Sequence, residues 1–198
     1  MRLNNIIKGI DVSHYQKVDD WLAVLKDGVE FVFFKAMQGD AYKDPTFVKN
    51  VQGAKTAGLD PKAYLFYDPT DDWLDQVDNF LADLKPYGIK EVALDLETIE
   101  TKWDQNTPEY HLQMLRAVIS KLLQAGMVVV IYATYGFIMK YLPNADCFSQ
   151  CELWLAHYSE TMGPIPPPWK TATYWQYSEK GQVSGIVGPV DMDFFLVD

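Results

Sequence analysis

Apolar residues return along this chain in two rhythms. Short unbroken runs of strand length alternate with stretches in which apolar positions recur every three or four residues. Ile6 to Val12 reads as a first strand and Asp20 to Lys26 as a short helix. Phe31-Val32-Phe33-Phe34 is a buried run between Gly28 and Gly39. Phe47 to Ala57 is helical and stops at Gly58, a residue suited to the left-handed turn beyond a helix end. Ala63 to Tyr67 is a strand that ends at Asp68-Pro69. Trp73, Leu74, Val77, Phe80, Leu81 and Leu84 then form one apolar stripe with a period near 3.6. Glu91 to Glu97 follows as a strand. Thr107-Pro108 caps a helix whose stripe is Leu112, Leu115, Ile119, Leu122 and Leu123, and Gly126 ends it. Met127 to Tyr132 is apolar throughout, as a parallel strand covered on both faces should be. Leu153 to Tyr158, Thr173 to Tyr177 and Asp193 to Val197 complete the strands, and Pro164 to Pro168 is a rigid loop.

Repeated strand–helix units followed by strands with little helix between them predict an α/β chain with mostly parallel strands. An open dinucleotide-binding sheet would carry G-x-G-x-x-G after its first strand. Here that position reads Gly9-Ile10-Asp11-Val12-Ser13-His14, and no Walker A pattern occurs elsewhere. The expected fold is therefore an irregular (β/α) barrel, short of some helices in its C-terminal part. No linker or repeat marks a boundary, so residues 1–198 are expected to form one catalytic domain with no separate wall-binding domain.

Charge narrows the partners. Acids outnumber bases 27 to 17, a net charge of −10. Phosphate recognition needs a basic footprint, so nucleic acid is excluded, and an anionic membrane surface for the same reason. No apolar run approaches the roughly 20 residues of a transmembrane helix, and Lys8 interrupts the only apolar start. Two cysteines exclude a disulfide-dense scaffold. Cys147 and Cys151, near His157, do not make a zinc set, and no metal or organic cofactor is expected.

Candidate chemistry gathers where strands end. Asp95 and Glu97 alternate with Leu94 and Leu96, so both point one way, with Cα atoms about 6.6 Å apart. Two carboxyls at the end of a buried strand raise each other's pKa, which lets one stay protonated near neutral pH. A strand end emerging into solvent would look the same. Asp11 ends the first strand as Asp95 ends its own, or serves as a turn or cap there. Asp191 and Asp193 flank Met192 at the expected start of the last strand. Lys35 points to the same barrel mouth, unless it lies on the surface. Tyr64, Tyr67, Tyr132, Trp154, Tyr158, Trp175 and Tyr177 sit at strand ends, where rings with a polar tip can stack on sugars or simply complete a core. His14 follows Ser13, but no G-x-S-x-G elbow supports a serine hydrolase.

Several segments together resemble glycoside hydrolase family 25, the lysozymes (N-acetylmuramidases) of phage endolysins and bacterial autolysins. Gly9 to Gln16 looks like that family's opening strand, and Phe31 to Gly39 like its F-x-x-x-K-A-T-E-G strand. Asp44-Pro45, Phe47, Asn50 and Gly53 to Leu59 resemble the helix that follows, and Ala93 to Glu97 the D-x-E strand. Ile131-Tyr132, Leu153 to Tyr158, Trp175 to Ser178 and Val190-Asp191 continue in order, so the likeness spans about residues 8–195. It implies hydrolysis of the β-1,4 bond between N-acetylmuramic acid and N-acetylglucosamine in the bacterial wall, by a phage-type or virion-borne protein. Glu97 would be the general acid. Asp95 would steady a substrate acetamido group acting as internal nucleophile, and Asp11 and Asp191 would complete an acidic floor. Tyr64, Tyr132, Trp154, Tyr158 and Gln176 would line the sugar site, and Lys35, Gln38 and Tyr67 would bind substrate with them. Two positions depart from the family pattern: Gln38 stands for its usual Glu, and Leu65 for the His of G-x-Y-H-F. The loss of a like charge at position 38 should lower the pKa of neighbouring acids. These departures also leave room for a non-catalytic glycan-binding or virion-structural module. Wall binding would come from the cleft, or from partner domains or virion proteins outside this chain.

Overall fold

The strand rhythm becomes a barrel that closes on itself. The computed structural model describes residues 6–98 and 101–196. In chain order its elements are β1 (Ile6–Val12), β2 (Lys17–Val18), α1 (Trp21–Lys26), β3 (Val29–Gln38), β4 (Tyr42–Lys43) and α2 (Phe47–Ala57). Then come β5 (Asp60–Phe66), α3 (Trp73–Leu84), β6 (Glu91–Asp95), α4 (Pro108–Gln124), β7 (Val128–Thr134) and α5 (Tyr135–Tyr141). The chain finishes with β8 (Glu152–Ala156), β9 (Tyr174–Gly181), β10 (Ile186–Val187) and β11 (Val190–Leu196). Eight strands pair in the order β1-β11-β9-β8-β7-β6-β5-β3, and β3 returns to β1. All neighbours in this ring are parallel except β11, which runs antiparallel to both β1 and β9.

Each helix covers the outside between successive strands, up to β8. Among the described residues, no α-helix follows β8, so the far side of the barrel is short of helices as its sequence predicts. Local signals set most helix ends. Asp20 and Asp72 accept from the first free N–H groups of α1 and α3, and Thr107 does so for α4. Gly58 ends α2 at φ +96°, a conformation that a side chain would strain. The stripe of α3 buries Val77, Phe80 and Leu84, while Leu74 stays exposed.

Apolar side chains fill two layers. One lies between barrel and helices and holds Val32, Phe34, Leu65, Leu94 and Ile131 with the helix stripes. The other fills the barrel itself with Phe31, Phe33, Tyr64, Trp154 and Tyr174. Phe33 stacks on Trp154 with ring centres 4.2 Å apart. Gly9 makes room for this plug, because a Cβ there would lie 2.1 Å from the Phe31 ring. The plug closes the middle of the barrel and leaves a hollow at each end.

Three details differ from the sequence expectation. Helix α5 stands where the pattern assigns no element: Thr134 caps it, but seven residues carry too few turns to show a stripe. Asp191 and Asp193 lie inside β11 rather than at its start. Glu97 lies beyond the end of β6. Val197, expected to close the last strand, falls outside the described residues.

Candidate active site

Strand register decides which side chains meet. Asp11 of β1 pairs with Asp191 of β11, and Gln176 of β9 with Asp193. Asp95 of β6 lies between Phe66 of β5 and Tyr132 of β7, and Tyr132 pairs with Trp154 of β8. Lys35 of β3 pairs with Tyr64. These residues rise to one level at the C-terminal ends of the parallel strands, the end at which barrels of this kind build their chemistry.

They enclose a cavity of about 230 Å3. Asp11, Asp95, Glu97, Asp191 and Lys35 supply its charges, and Tyr64, Tyr132, Trp154, Tyr158 and Gln176 its other predicted walls. Gln38 and Tyr67 do not line it. Gln38 sits alongside, accepting from Lys35 Nζ at 2.8 Å. The Tyr67 ring is buried in the outer layer, 6.1 Å from Trp103. Ser13, Tyr15, Gln16 and Phe66 also line the cavity, though sequence reasoning had passed over them. Larger grooves of about 600 and 760 Å3 lie on the helices, but they gather no comparable set of buried carboxyls. Chemistry, not size, marks the site.

A chain of hydrogen bonds fixes the walls. Tyr132 O–H donates to Gln176 Oε1 at 2.7 Å, and Gln176 Nε2 donates to Asp11 Oδ2 at 2.7 Å. Behind them Trp154 Nε1 donates to Asp193 Oδ1 at 2.8 Å. Tyr64 and Tyr132 stay protonated, because burial and nearby carboxylates push their phenols well up.

The carboxyls are held far from their behaviour in water. Burial, then the charge of Glu97, drives Asp95 well above the usual range, against the pull of Lys35. Burial also raises Glu97, though Asp95 and Lys35 pull it down. Burial, then Asp193 and Asp191, raises Asp11, while the Gln176 amide opposes. Asp191 is pushed up to about 6 by burial and by Glu179 and Glu97. Burial also raises Asp193, against its bond from Trp154. Asp95 Oδ1 and Asp193 Oδ2 are buried with no hydrogen-bond partner among the described residues. Acids in such surplus cannot all ionise together, so the cavity holds proton donors and acceptors side by side near neutral pH.

Comparison with known proteins identifies the family. The model for "Glycosyl hydrolases family 25" matches residues 10–186. The chain belongs to glycosyl hydrolase family 25. Similar proteins align over almost the whole chain. Lysozyme M1 of Streptomyces globisporus is 27% identical, over 96% of this chain and 67% of its own. The protein YegX of Escherichia coli K12 is 31% identical, over 96% of this chain and 69% of its own. The crystal structure of a bacterial lysozyme from Streptomyces coelicolor superposes with a TM-score of 0.89 at 27% identity, covering 98% of this chain and 94% of that one. As a family 25 member the chain is a glycosidase with the closed eight-stranded barrel of those structures.

The remaining candidates lie elsewhere or do other work. Cys147 and Cys151 are free thiols, and burial pushes Cys151 up to about 12, so it stays an unreactive thiol. Among the described residues no cluster of three or more His, Cys, Asp or Glu is arranged to hold a metal ion. No described helix is long and apolar enough to cross a membrane.

Proposed function

We propose that this family 25 glycosidase is a peptidoglycan muramidase. It cleaves the β-1,4 bond between N-acetylmuramic acid and N-acetylglucosamine, with Glu97 as general acid and the substrate acetamido group as internal nucleophile. The observation that carries this reading is the meeting of Asp11, Asp95, Glu97 and Asp191 in one aromatic-walled cavity at the barrel's C-terminal end. Family membership supports hydrolysis of peptidoglycan as the activity, with residues 1–198 as one catalytic module.

The roles follow from environment. Burial raises Glu97 above the usual carboxyl range, and Glu97 lines the cavity, where it can deliver a proton. It protonates the bridging oxygen as that oxygen leaves the anomeric carbon. The acetamido oxygen attacks that carbon and forms a cyclic intermediate, and Asp95 accepts the acetamido N–H. Its unpartnered Oδ1 suits that bond. Water then opens the ring, and the Glu97 carboxylate takes its proton. Asp11 and Asp191 add negative charge near the developing oxocarbenium. Tyr64, Tyr132, Trp154 and Tyr158 offer ring faces and hydroxyls to the sugars.

The two departures from the family pattern spare this machinery. Leu65 is fully buried in the outer layer, behind the inward-facing Tyr64. Gln38 stands beside the cavity and removes none of the four carboxyls. The deciding experiment is reducing-end release from purified peptidoglycan by wild type and Glu97→Gln between pH 4 and 8, with product ends identified. Muramic acid ends from wild type, and a loss of about 10²-fold or more in the variant, are the expected result. Release by both proteins alike would put the acid elsewhere. No release by a folded wild type that still binds wall fragments would favour the glycan-binding module.

A further inference from the structure

The cavity has a rim that the catalytic roles leave unused. Just beyond Asp11, the turn after β1 carries Ser13, His14 and Tyr15, and the hairpin of β3 and β4 brings up Tyr42. Tyr15 lines the cavity, yet 81% of it is exposed. Its ring lies 4.0 Å from the His14 ring, and the Tyr42 ring follows at 5.9 Å from His14. Tyr42 is itself 42% exposed. Three rings therefore run outward from the cavity mouth.

The middle ring, His14, is fixed from below. Asp44, whose side chain is fully buried, accepts from the backbone N–H of His14 at 2.8 Å and from its Nδ1 at 2.9 Å. Tyr42 O–H lies 3.2 Å from the same Nδ1. Burial opposes ionisation of Asp44, but hydrogen bonds from Thr46 and His14 outweigh it and hold the carboxyl below the usual range. A buried, ionised carboxylate thus fixes an imidazole directly under an exposed tyrosine. Tyr15 thus stacks on a fixed imidazole, and a fixed ring loses little entropy when a ligand packs beside it.

We propose that Tyr15, His14 and Tyr42 form a saccharide platform that binds the glycan strand beyond the two sugars joined at the scissile bond. The occupant is the same polymer, because the platform is continuous with the cavity through Tyr15. Flat rings with polar edges match the apolar faces and hydroxyl rims of pyranose units. The platform binds the extended strand and takes no part in proton transfer. The identity of the sugar rests on the muramidase reading.

The test measures affinity against chain length in the Glu97→Gln protein, which keeps the ligand intact. The probes are the peptide-free disaccharide and tetrasaccharide of alternating N-acetylglucosamine and N-acetylmuramic acid. The tetrasaccharide should bind more tightly than the disaccharide. Adding Tyr15→Ala should weaken the tetrasaccharide by about three- to tenfold and the disaccharide clearly less. Tyr15→Phe should keep most of the gain, and Tyr110→Ala, which removes an exposed ring on α4, should change nothing. An unaltered tetrasaccharide affinity in Tyr15→Ala, equal loss for both lengths, or no tetrasaccharide binding at all would overturn the platform. Absence of cleavage by wild type, with the length-dependent Tyr15 effect intact, would instead sink the muramidase reading and leave the platform standing.

Discussion

Each end of the barrel sets a lysine among carboxyls, and the two lysines meet different partners. At the N-terminal end Lys62 bridges Asp60 at 3.1 Å and Glu91 at closer range, and Tyr174 O–H donates to the same Glu91. Glu152, Ile7, Phe31 and Phe195 complete a hollow of about 340 Å3 there. At the C-terminal end Lys35 donates to the amide oxygen of Gln38, while Asp95 and Asp193 each keep a buried oxygen without a partner. The residue types are alike and the outcomes are opposite. One end gives its lysine two carboxylate partners, and the other sets its lysine on a neutral amide among buried acids. Satisfied charge fixes structure, whereas unsatisfied charge is reactive and costs stability.

The largest expected effect separates catalysis at the two ends. Glu97→Gln should lower kcat by about 10²–10⁴-fold with a melting temperature no lower than that of wild type. Glu91→Gln, at the other end, should leave kcat within twofold. Steady-state rates on soluble glycan fragments, beside thermal melts, check both. A strong loss of kcat in Glu91→Gln with retained fold would erase the distinction.

Stability should respond the other way round. Lys62→Met strands Glu91, Glu152 and Asp60 without their cation, so it should destabilise by about 2–3 kcal/mol, somewhat less than a fully buried pair because Glu91 is partly exposed. Denaturant titration measures this, and kcat of the folded fraction should not move. At the acidic end, removal of a charge should stabilise. An acid whose folded pKa exceeds its unfolded one keeps a proton that the unfolded chain has already lost. Stability from that group therefore falls as pH climbs from the unfolded pKa toward the folded one. For Asp191 that window runs from 3.8 to about 6. Asp193, fully buried and also raised, should add to the same fall at higher pH. Asp193→Asn can keep the bond from Trp154 and should melt above wild type at pH 7, by about 2–4 °C for each kcal/mol relieved, and level with it at pH 3. A gain of the same size at both pH values would mean that packing, not charge, is responsible.

How much of this was legible in the sequence depends on the range of each signal. Barrel strands and α1 to α4 follow from local periodicity and caps, although β6 ends before Glu97 and β11 begins before Asp193. Helix α5 and the two-residue strands β2, β4 and β10 are too short to leave a pattern. Asp95 and Glu97 were legible as a pair because they are neighbours. Tyr67 could have been excluded by alternation alone: Tyr64 and Phe66 face the cavity, so Tyr67 must face outward. The meeting of Asp11 with Asp191, and of Gln176 with Asp11, depends on pairing between strands more than 160 residues apart, which no local window contains. The resemblance to family 25 supplied those long-range partners. It included Tyr15, His14 and Asp44 without giving them a role, and their arrangement appears only when the first turn and the β3–β4 hairpin fold together.

The smallest effect is the sharpest probe of the acidic end. Gln38 is the one departure from the family pattern that touches the charged groups, through Lys35 Nζ. Lys35 in turn faces Asp95, Asp44 and Glu97. Gln38→Glu would give the ammonium a carboxylate partner of its own and add a negative charge near Asp95 and Glu97. Both changes favour the protonated forms of those two acids. The limb of the pH–rate profile on which activity falls as Glu97 loses its proton should therefore move to higher pH, by a fraction of a unit, with little change in the plateau. Lys35→Met should move it in the same direction and further, because it removes the cation entirely. Opposite shifts in the two variants would mean that Gln38 acts by placing Lys35 rather than by sparing its charge.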